Sequence, residues 1–148
     1  MSNPTSKTEA EPRDILEWTR GRAIVATGSP FPPVDRGART HVIGQANNVF
    51  CFPGIGLGAL VAEAREVTDE MFLVAAEALA GLVPEARLAK GALFPEPSDL
   101  RVASRAIAVA AARAARDGGV GRQLDDDELG SAVDGMMWEP RYLPYEPV

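Results

Sequence analysis

Two asparagines and a run of glycines lie close together in the stretch QANNVFCFPGIGLGA, residues 45–59. Asn47 and Asn48 carry carboxamides, which offer hydrogen-bond donors and an acceptor without titrating and so suit recognition of a carboxylate, a hydroxyl or an amide. Asparagines beside a strand are also common turn formers. Adjacent residues on an extended stretch point opposite ways, so the two would normally serve different sites. The residue types alone leave the ligand and the turn interpretations open.

The glycines in GIGLGA, residues 54–59, satisfy the pattern G-x-G-x-x-A, which is typical of loops that hold dinucleotide phosphates. A working fingerprint also needs a second strand that ends in an acidic residue about 20 positions further on. Residues 67–83 have helical periodicity instead, and Pro53 withholds an amide donor directly before the first glycine. The pattern therefore favours three glycines that let a helix approach a neighbouring backbone closely.

Acid–base and metal chemistry have few candidate residues, because the chain contains one histidine and one cysteine. His41 lies in the alternating stretch RTHVIG, which predicts a strand-edge residue rather than a catalyst. Cys51 cannot form an internal disulfide, and its apolar surroundings indicate a reducing compartment. We therefore expect a cytoplasmic chain with no metal ligands and no catalytic residue that acts alone.

Composition excludes two further classes of protein. The net charge of −6 and the isoelectric point near 4.8 argue against a nucleic-acid partner, which would require concentrated positive charge. The first 20 residues contain no apolar signal region, and no apolar run reaches about 18 residues. A length of 148 residues suits one domain that neither spans a membrane nor carries a visible secretion signal.

Apolar periodicity predicts an α/β chain with two or three early strands followed by four or five helices. A doubly wound sheet needs more strands than this, so the chain resembles part of one. We expect a strand and loop part over 1–66 and a mostly helical part with a tail over 67–148. Strands are predicted for 22–28 and 48–52, an irregular excursion for 29–40, and helices for 12–19, 57–65, 68–83, 99–117 and 125–137.

Side-chain patterns on these helices give more detailed expectations. Thr68 and Ser98 are predicted N-caps, because a hydroxyl before an apolar-periodic segment satisfies the first backbone amides. Four arginines form a stripe on the longest helix and are expected to face solvent. Three aromatic residues are expected to pack the proline-punctuated tail against the domain. These two sets are Arg101, Arg105, Arg113 and Arg116, and Trp138, Tyr142 and Tyr145.

Six stretches of the chain, taken in order, resemble the C-terminal part of malic enzymes, and together they cover almost all of it. The resemblance implies the distal part of a Rossmann-like NAD(P)-binding domain over 1–148. It also implies oxidative decarboxylation of malate to pyruvate and CO₂, with NAD or NADP as the cofactor and Mn²⁺ or Mg²⁺ assisting. The stretches are SNPTSKTE (2–9), WTRGRAIVATGSPFPPV (18–34), GQANNVFCFPGIGLGAL (44–60), VTDEMFLVAAEALA (67–80), SRAIAVAAARAA (104–115) and MWEPRYLPY (137–145).

The same resemblance implies roles for five residues. Asn3, in SNPT, would contact malate and the nicotinamide side of the cofactor. Asn47 would contact a malate carboxylate and border the cofactor, with Asn48 beside the same pocket. Gly28 and Ser29, in ATGSP, would form a loop bordering the nicotinamide. The asparagines are thus implied to carry the chemistry and the glycines of 54–59 the packing.

Several parts of a malic enzyme have no counterpart here. The family's tyrosine general acid, lysine general base, three acidic metal ligands and phosphate-binding fingerprint all precede SNPT and cannot be mapped. We therefore expect a fragment that is inactive alone and that forms a homo-oligomer or associates with the missing N-terminal portion. The alternatives are a non-catalytic interaction module derived from a malic enzyme, or part of a malolactic enzyme.

Overall fold

The computed structural model describes residues 5–142 and 144–145, and within them it confirms a mixed α/β architecture. The strands are short and lie before residue 46, whereas the longer helices follow. Strands are β1 (Ala26–Thr27), β2 (Val34–Arg36), β3 (Arg39–His41) and β4 (Gly44–Gln45). Helices are α1 (Pro12–Trp18), α2 (Phe52–Val61), α3 (Asp69–Gly81), α4 (Glu85–Leu88), α5 (Leu100–Asp117) and α6 (Asp126–Met136), with 3₁₀ turns at Thr5–Lys7, Asn48–Phe50 and Pro97–Asp99.

The strands form two separate pairs. β1 and β4 run parallel, with Ala26 opposite Gly44 and Thr27 opposite Gln45. β2 and β3 form an antiparallel hairpin over 34–41, largely within 29–40, where an irregular excursion was expected. Gly37 adopts a φ of 62° in its tight turn, a conformation that glycine takes without steric cost. The predicted strand over 22–28 shrinks to two residues, because only there does another described strand lie alongside.

The prediction of a strand over 48–52 is wrong. Asn48–Phe50 forms one 3₁₀ turn, and α2 already begins at Phe52. The side chain of Asn47 accepts a hydrogen bond from the Val49 amide, which bends the backbone out of the extended conformation. Pro53 then suits the first helical turn, where its fixed φ is favourable and no amide donor is needed.

Helix α5 is the centre of the helical part and packs against α2, α3 and α6. Its buried face consists largely of alanines, which allow neighbouring helices to come close. Added Cβ atoms at Gly54 and Gly58 would lie 2.7 Å from Ile107 and 2.6 Å from the Ala108 carbonyl oxygen. The packing role predicted for these two glycines is confirmed. It is wrong for Gly56, where an added Cβ would meet no described atom within 4 Å.

Helices α3 and α6 begin directly after a residue whose side chain caps the first turn. The Thr68 hydroxyl caps α3 by accepting from the Met71 amide, as predicted. Asp125 caps α6 in a reciprocal box with Glu128, at 2.8 Å and 2.9 Å. The prediction that Ser98 caps α5 is wrong, because Pro97–Asp99 forms a 3₁₀ turn and moves the helix start to Leu100.

Arg101, Arg105 and Arg113 of the arginine stripe are exposed as expected, whereas Arg116 is half-buried, and three of the four also form ion pairs. Arg105 reaches Asp134, while Arg113 and Arg116 share Asp126, so these side chains join α5 to α6. Carboxylates of α6 therefore occupy a face that was expected to be purely solvated.

The predicted packing of the tail aromatics is wrong. Trp138, Tyr142 and Tyr145 are 77%, 101% and 100% exposed. The chain leaves α6 after Met136, and one guanidinium bond from Arg101 to the Trp138 carbonyl oxygen ties the tail to α5. The prolines remove backbone donors that could have anchored it further.

Within the described ranges, no helix is both long and apolar enough to cross a membrane.

Candidate functional site

The candidate site lies where the parallel strands β1 and β4 end. Because the strands run in the same direction, their carboxyl ends meet at one edge, where ligands bind in open α/β sheets. The Ala46 amide donates to the Thr27 carbonyl oxygen at 2.8 Å, which continues the pairing one residue beyond β4. The loop after β1 begins with Gly28 and Ser29, so it lies beside the segment that carries Asn47.

Asn47 and Gly28, both predicted site residues, are in direct contact. The Asn47 Nδ2 atom donates to the Gly28 carbonyl oxygen at 3.2 Å, and its Oδ1 atom accepts from the Val49 amide at 3.0 Å. A carboxamide nitrogen carries two protons. The contacts made by the described residues use one of them, which leaves a neutral donor at the strand ends. Asn47 thus caps the turn and also retains an amide proton that can donate a hydrogen bond to a ligand.

Sequence reasoning missed Gln45 as part of this arrangement. Its Nε2 atom donates to the same Gly28 carbonyl oxygen, also at 3.2 Å. Residues two apart on an extended segment point to the same face. That period groups Gln45 with Asn47 and would have identified the pair, whereas the family resemblance placed Asn48 beside Asn47.

Thr27 also fixes the loop that follows β1. Its side chain is fully buried, and its hydroxyl donates to the Ser29 carbonyl oxygen at 2.7 Å. The carbonyl groups of Gly28 and Ser29 are therefore both engaged by side chains. Gly28 is buried and Ser29 half-buried, so the loop is held against the strands.

The remaining predicted residues stand in different situations. Asn48 is exposed and is the first residue of the 3₁₀ turn, next to the half-buried Asn47. Asn3 lies outside the described residues. The assignments of Asn3, Asn47 and Asn48 to malate, and of Asn3, Gly28, Ser29 and Asn47 to the cofactor, stay predictions.

His41 and Cys51 lie apart from this chemistry. His41 ends β3 and is buried in the hairpin, near Gly21, in agreement with the predicted strand-edge position. Burial raises the pKa of the half-buried Cys51 thiol above its ordinary value. The thiol therefore stays protonated at neutral pH and is a weak nucleophile.

The described residues around the strand ends do not fit a divalent metal. Mn²⁺ and Mg²⁺ prefer carboxylate oxygens, and within 5–142 and 144–145 no three or more His, Cys, Asp or Glu side chains group together to hold an ion. The strand ends carry carboxamides and backbone groups instead. This neutral donor set fits the carboxamide of a nicotinamide better than it fits a cation.

A parallel strand pair followed by a helix, with polar residues at the strand ends, is the architecture of a partial Rossmann-like domain. Comparison with known families defines it further: residues 1–116 match the family described as malic enzyme, NAD binding domain. The chain belongs to this family, and the resemblance inferred from the six stretches is confirmed.

Individual relatives agree with the family match. The chain is 47% identical over 146 residues to the NAD-dependent malic enzyme of Vibrio parahaemolyticus serotype O3:K6 (strain RIMD 2210633), which covers 99% of this chain. It is 46% identical over 145 residues to the NAD-dependent malic enzyme of Sodalis glossinidius (strain morsitans), which covers 98% of it. In both cases the matched region is 26% of the relative, so the chain spans about a quarter of their length.

Proposed function

We propose that this chain is the distal part of the cofactor domain of an NAD-dependent malic enzyme, which converts malate to pyruvate and CO₂. Its contribution is to bind and orient the nicotinamide and malate, and it supplies no catalytic acid or base. The observation that carries the proposal is the convergence of Asn47 on Gly28 at the carboxyl ends of parallel strands, in a member of an NAD-binding family.

Asn47, Gly28 and Ser29 would hold the nicotinamide side of the cofactor, which accepts a hydride when bound. The remaining amide proton of Asn47 would donate to a carboxylate or carboxamide oxygen, and Asn48 and Asn3 would add further amides. NAD rather than NADP is supported by the relatives, which are named as NAD-dependent. The assisting metal would have to be held by residues outside this chain's described part, and we derive no step through it.

Asn47→Asp tests this proposal by calorimetric titration of NAD⁺ in the presence of malate and Mn²⁺. Aspartate keeps the oxygen that caps the 3₁₀ turn, but it loses the amide donor and repels a carboxylate. We expect the affinity to fall about tenfold or more, since one charge-assisted hydrogen bond contributes about 1.5–3 kcal/mol. The free energy of unfolding should fall by about 1 kcal/mol, because the carboxylate also loses the hydrogen bond that Asn47 donates to the Gly28 carbonyl oxygen.

Gln123→Glu is the matched control, because it makes the same amide-to-carboxylate change where Gln123 donates to the Arg116 carbonyl oxygen. It should bind NAD⁺ as the wild type does. If Asn47→Asp also binds normally, Asn47 is only a turn cap. If the folded wild-type chain releases no heat, the site requires further polypeptide and the independent half-site is disproved.

The surface of α2 supports association with the part of the enzyme that lies outside this match. One face of α2 packs against α5, yet its opposite face exposes Phe52 and Leu60, at 74% and 67%. Gly56 lies one turn from each of these residues and has open space above it. A helix that is apolar on all sides is normally buried on all sides. We therefore propose that the remaining portion of a malic enzyme covers this face, and that a homo-oligomer forms in its absence.

The same exposed face favours one alternative function, a non-catalytic interaction module. If the chain is such a module, it should form a defined complex that does not respond to NAD⁺ or malate. Light scattering with and without the two ligands measures this. A malolactic enzyme would use the same strand-end residues, and it is distinguished by forming lactate after reconstitution with the remaining portion.

A further inference from the structure

The Gly28 carbonyl oxygen accepts two side-chain amides, from Gln45 and Asn47, at 3.2 Å each. A carbonyl oxygen has two lone pairs, so these donors use its full accepting capacity. Asn47 also has the cap to form, whereas Gln45 makes this contact alone among the bonds described for its side chain. The Gln45 amide is therefore dedicated to the loop after β1.

The orientation of one peptide group depends on this contact. In a trans peptide the C=O and the following N–H point in opposite directions. Holding the Gly28 carbonyl towards β4 therefore turns the Ser29 N–H to the opposite side. Gly28 has no Cβ to restrict its backbone, so rotation of this peptide would otherwise be easy. Thr27 fixes the next carbonyl, that of Ser29, and leaves the Gly28 carbonyl to the two amides.

We propose that Gln45 is a positioning residue that holds the Gly28–Ser29 peptide in the orientation needed at the nicotinamide edge. The hydrogen bonds to the Gly28 carbonyl oxygen support the positioning role of Gln45. The consequence of that role for cofactor binding rests on the proposed function. The register explains why Gln45 can do this: it lies directly opposite Thr27, one residue before the peptide that it holds.

Gln45→Met tests the inference, because methionine keeps the length and volume of glutamine and lacks its N–H donors. We expect the ¹³C shift of the Gly28 carbonyl to move part of the way towards an unbonded value and NAD⁺ affinity to fall about fivefold. The effect is partial because Asn47 still donates to the same oxygen. Gln123→Met removes an equivalent amide-to-carbonyl bond elsewhere and should change neither quantity.

Gln45→Glu adds a readout that a merely structural role would not move. The introduced carboxylate has no proton to donate at neutral pH, but the protonated carboxyl can donate to the Gly28 oxygen. The Gly28 carbonyl shift should therefore return towards the wild-type value as the pH falls through the pKa of the introduced group. If Gln45→Met fails to fold, this titration still tests whether residue 45 donates to the Gly28 carbonyl oxygen.

Unchanged Gly28 shifts in both variants would overturn the inference. So would a loss of NAD⁺ affinity with no change at Gly28, since Gln45 would then act by another route. A shift change in a chain whose wild type binds no NAD⁺ supports the positioning role and counts against the proposed function alone. The two failures are thus distinguishable.

Discussion

Asn47 makes two different contacts with its one side chain, and two glycines of α2 differ in their surroundings although they lie two positions apart. Asn47 ends the extended segment through its oxygen and contacts the loop through its nitrogen. Gly58 and Gly56 lie on the same helix, but only Gly58 faces another backbone closely. Its added Cβ would meet Ala108 and Ala111, whereas that of Gly56 would meet open space.

Gly58→Ala should lower the free energy of unfolding by about 1–3 kcal/mol, since the rigid backbone of α5 cannot move away from the added methyl. Gly56→Ala is the control and should raise it by about 0.5–1 kcal/mol, because alanine loses less backbone freedom in a helix. Urea unfolding measures both. Equal losses in the two variants would contradict the assignment of Gly58 as the packing glycine.

Helices α5 and α6 are joined by a buried apolar contact and by exposed ion pairs. Leu129 and Val133 of α6 are buried in the core cluster formed with α5. On the solvent side, Arg105 forms a bidentate ion pair with Asp134, with Nε donating to Oδ1 at 2.6 Å and Nη2 donating to Oδ2 at 2.7 Å. Burial decides that α6 docks, and the ion pairs favour one register of docking.

Acid should weaken the docking of α6. Hydrogen bonds from Arg105 hold the pKa of Asp134 below its ordinary value of 3.8. Because the folded-state pKa is lowered, the stabilisation is complete above pH 3.8 and is lost as the pH falls through the folded-state value. Asp126, paired with Arg116 and Arg113, behaves in the same way.

Asp134→Asn should therefore reduce the dependence of the urea midpoint on pH in this acid range. Glu77→Gln, on an exposed part of α3 and with no ion pair among the described residues, is the control and should leave the dependence intact. The expected difference is small, because both partners of the Arg105 pair are exposed and solvent screens them. Identical pH profiles for Asp134→Asn and wild type would show that the pair contributes nothing.

At the scale of the whole molecule, the described residues form a well-packed helical core beside a short parallel strand pair. Two strands of two residues each make the parallel pair, whereas parallel sheets normally have several strands with both faces covered. The exposed side chains of Phe52 and Leu60 add an apolar face on α2. Both features support the proposed association with further polypeptide.

Phe52→Ser tests whether this face mediates association. We expect the wild-type chain to form a defined oligomer in light scattering and the variant to shift towards monomer, because removal of a large apolar side chain weakens burial at the contact. Phe72→Ser is the control, since Phe72 is also exposed but lies on α3. A monomeric wild type, or equal effects of both changes, would rule out α2 as a specific interface.

Local patterns in the sequence predicted the helices other than the short α4, because periodicity and capping act within a few residues. They located α3 with its Thr68 cap, and the close packing at Gly54 and Gly58. They also pointed to Asn47, whereas Gly28 was implied only by the family resemblance. The strand expected at 48–52 failed for a local reason as well, since the Asn47 cap and Pro53 start a turn and a helix there.

Only the tertiary structure decided what these residues do together. The bonds from Gln45 and Asn47 to Gly28 join positions 17 and 19 residues apart, and they depend on β1 and β4 lying parallel in one register. The exposure of Phe52 and of Tyr142 likewise depends on which surfaces find partners. No local pattern encodes such contacts, because they form when distant segments are brought side by side by the packing of the whole chain.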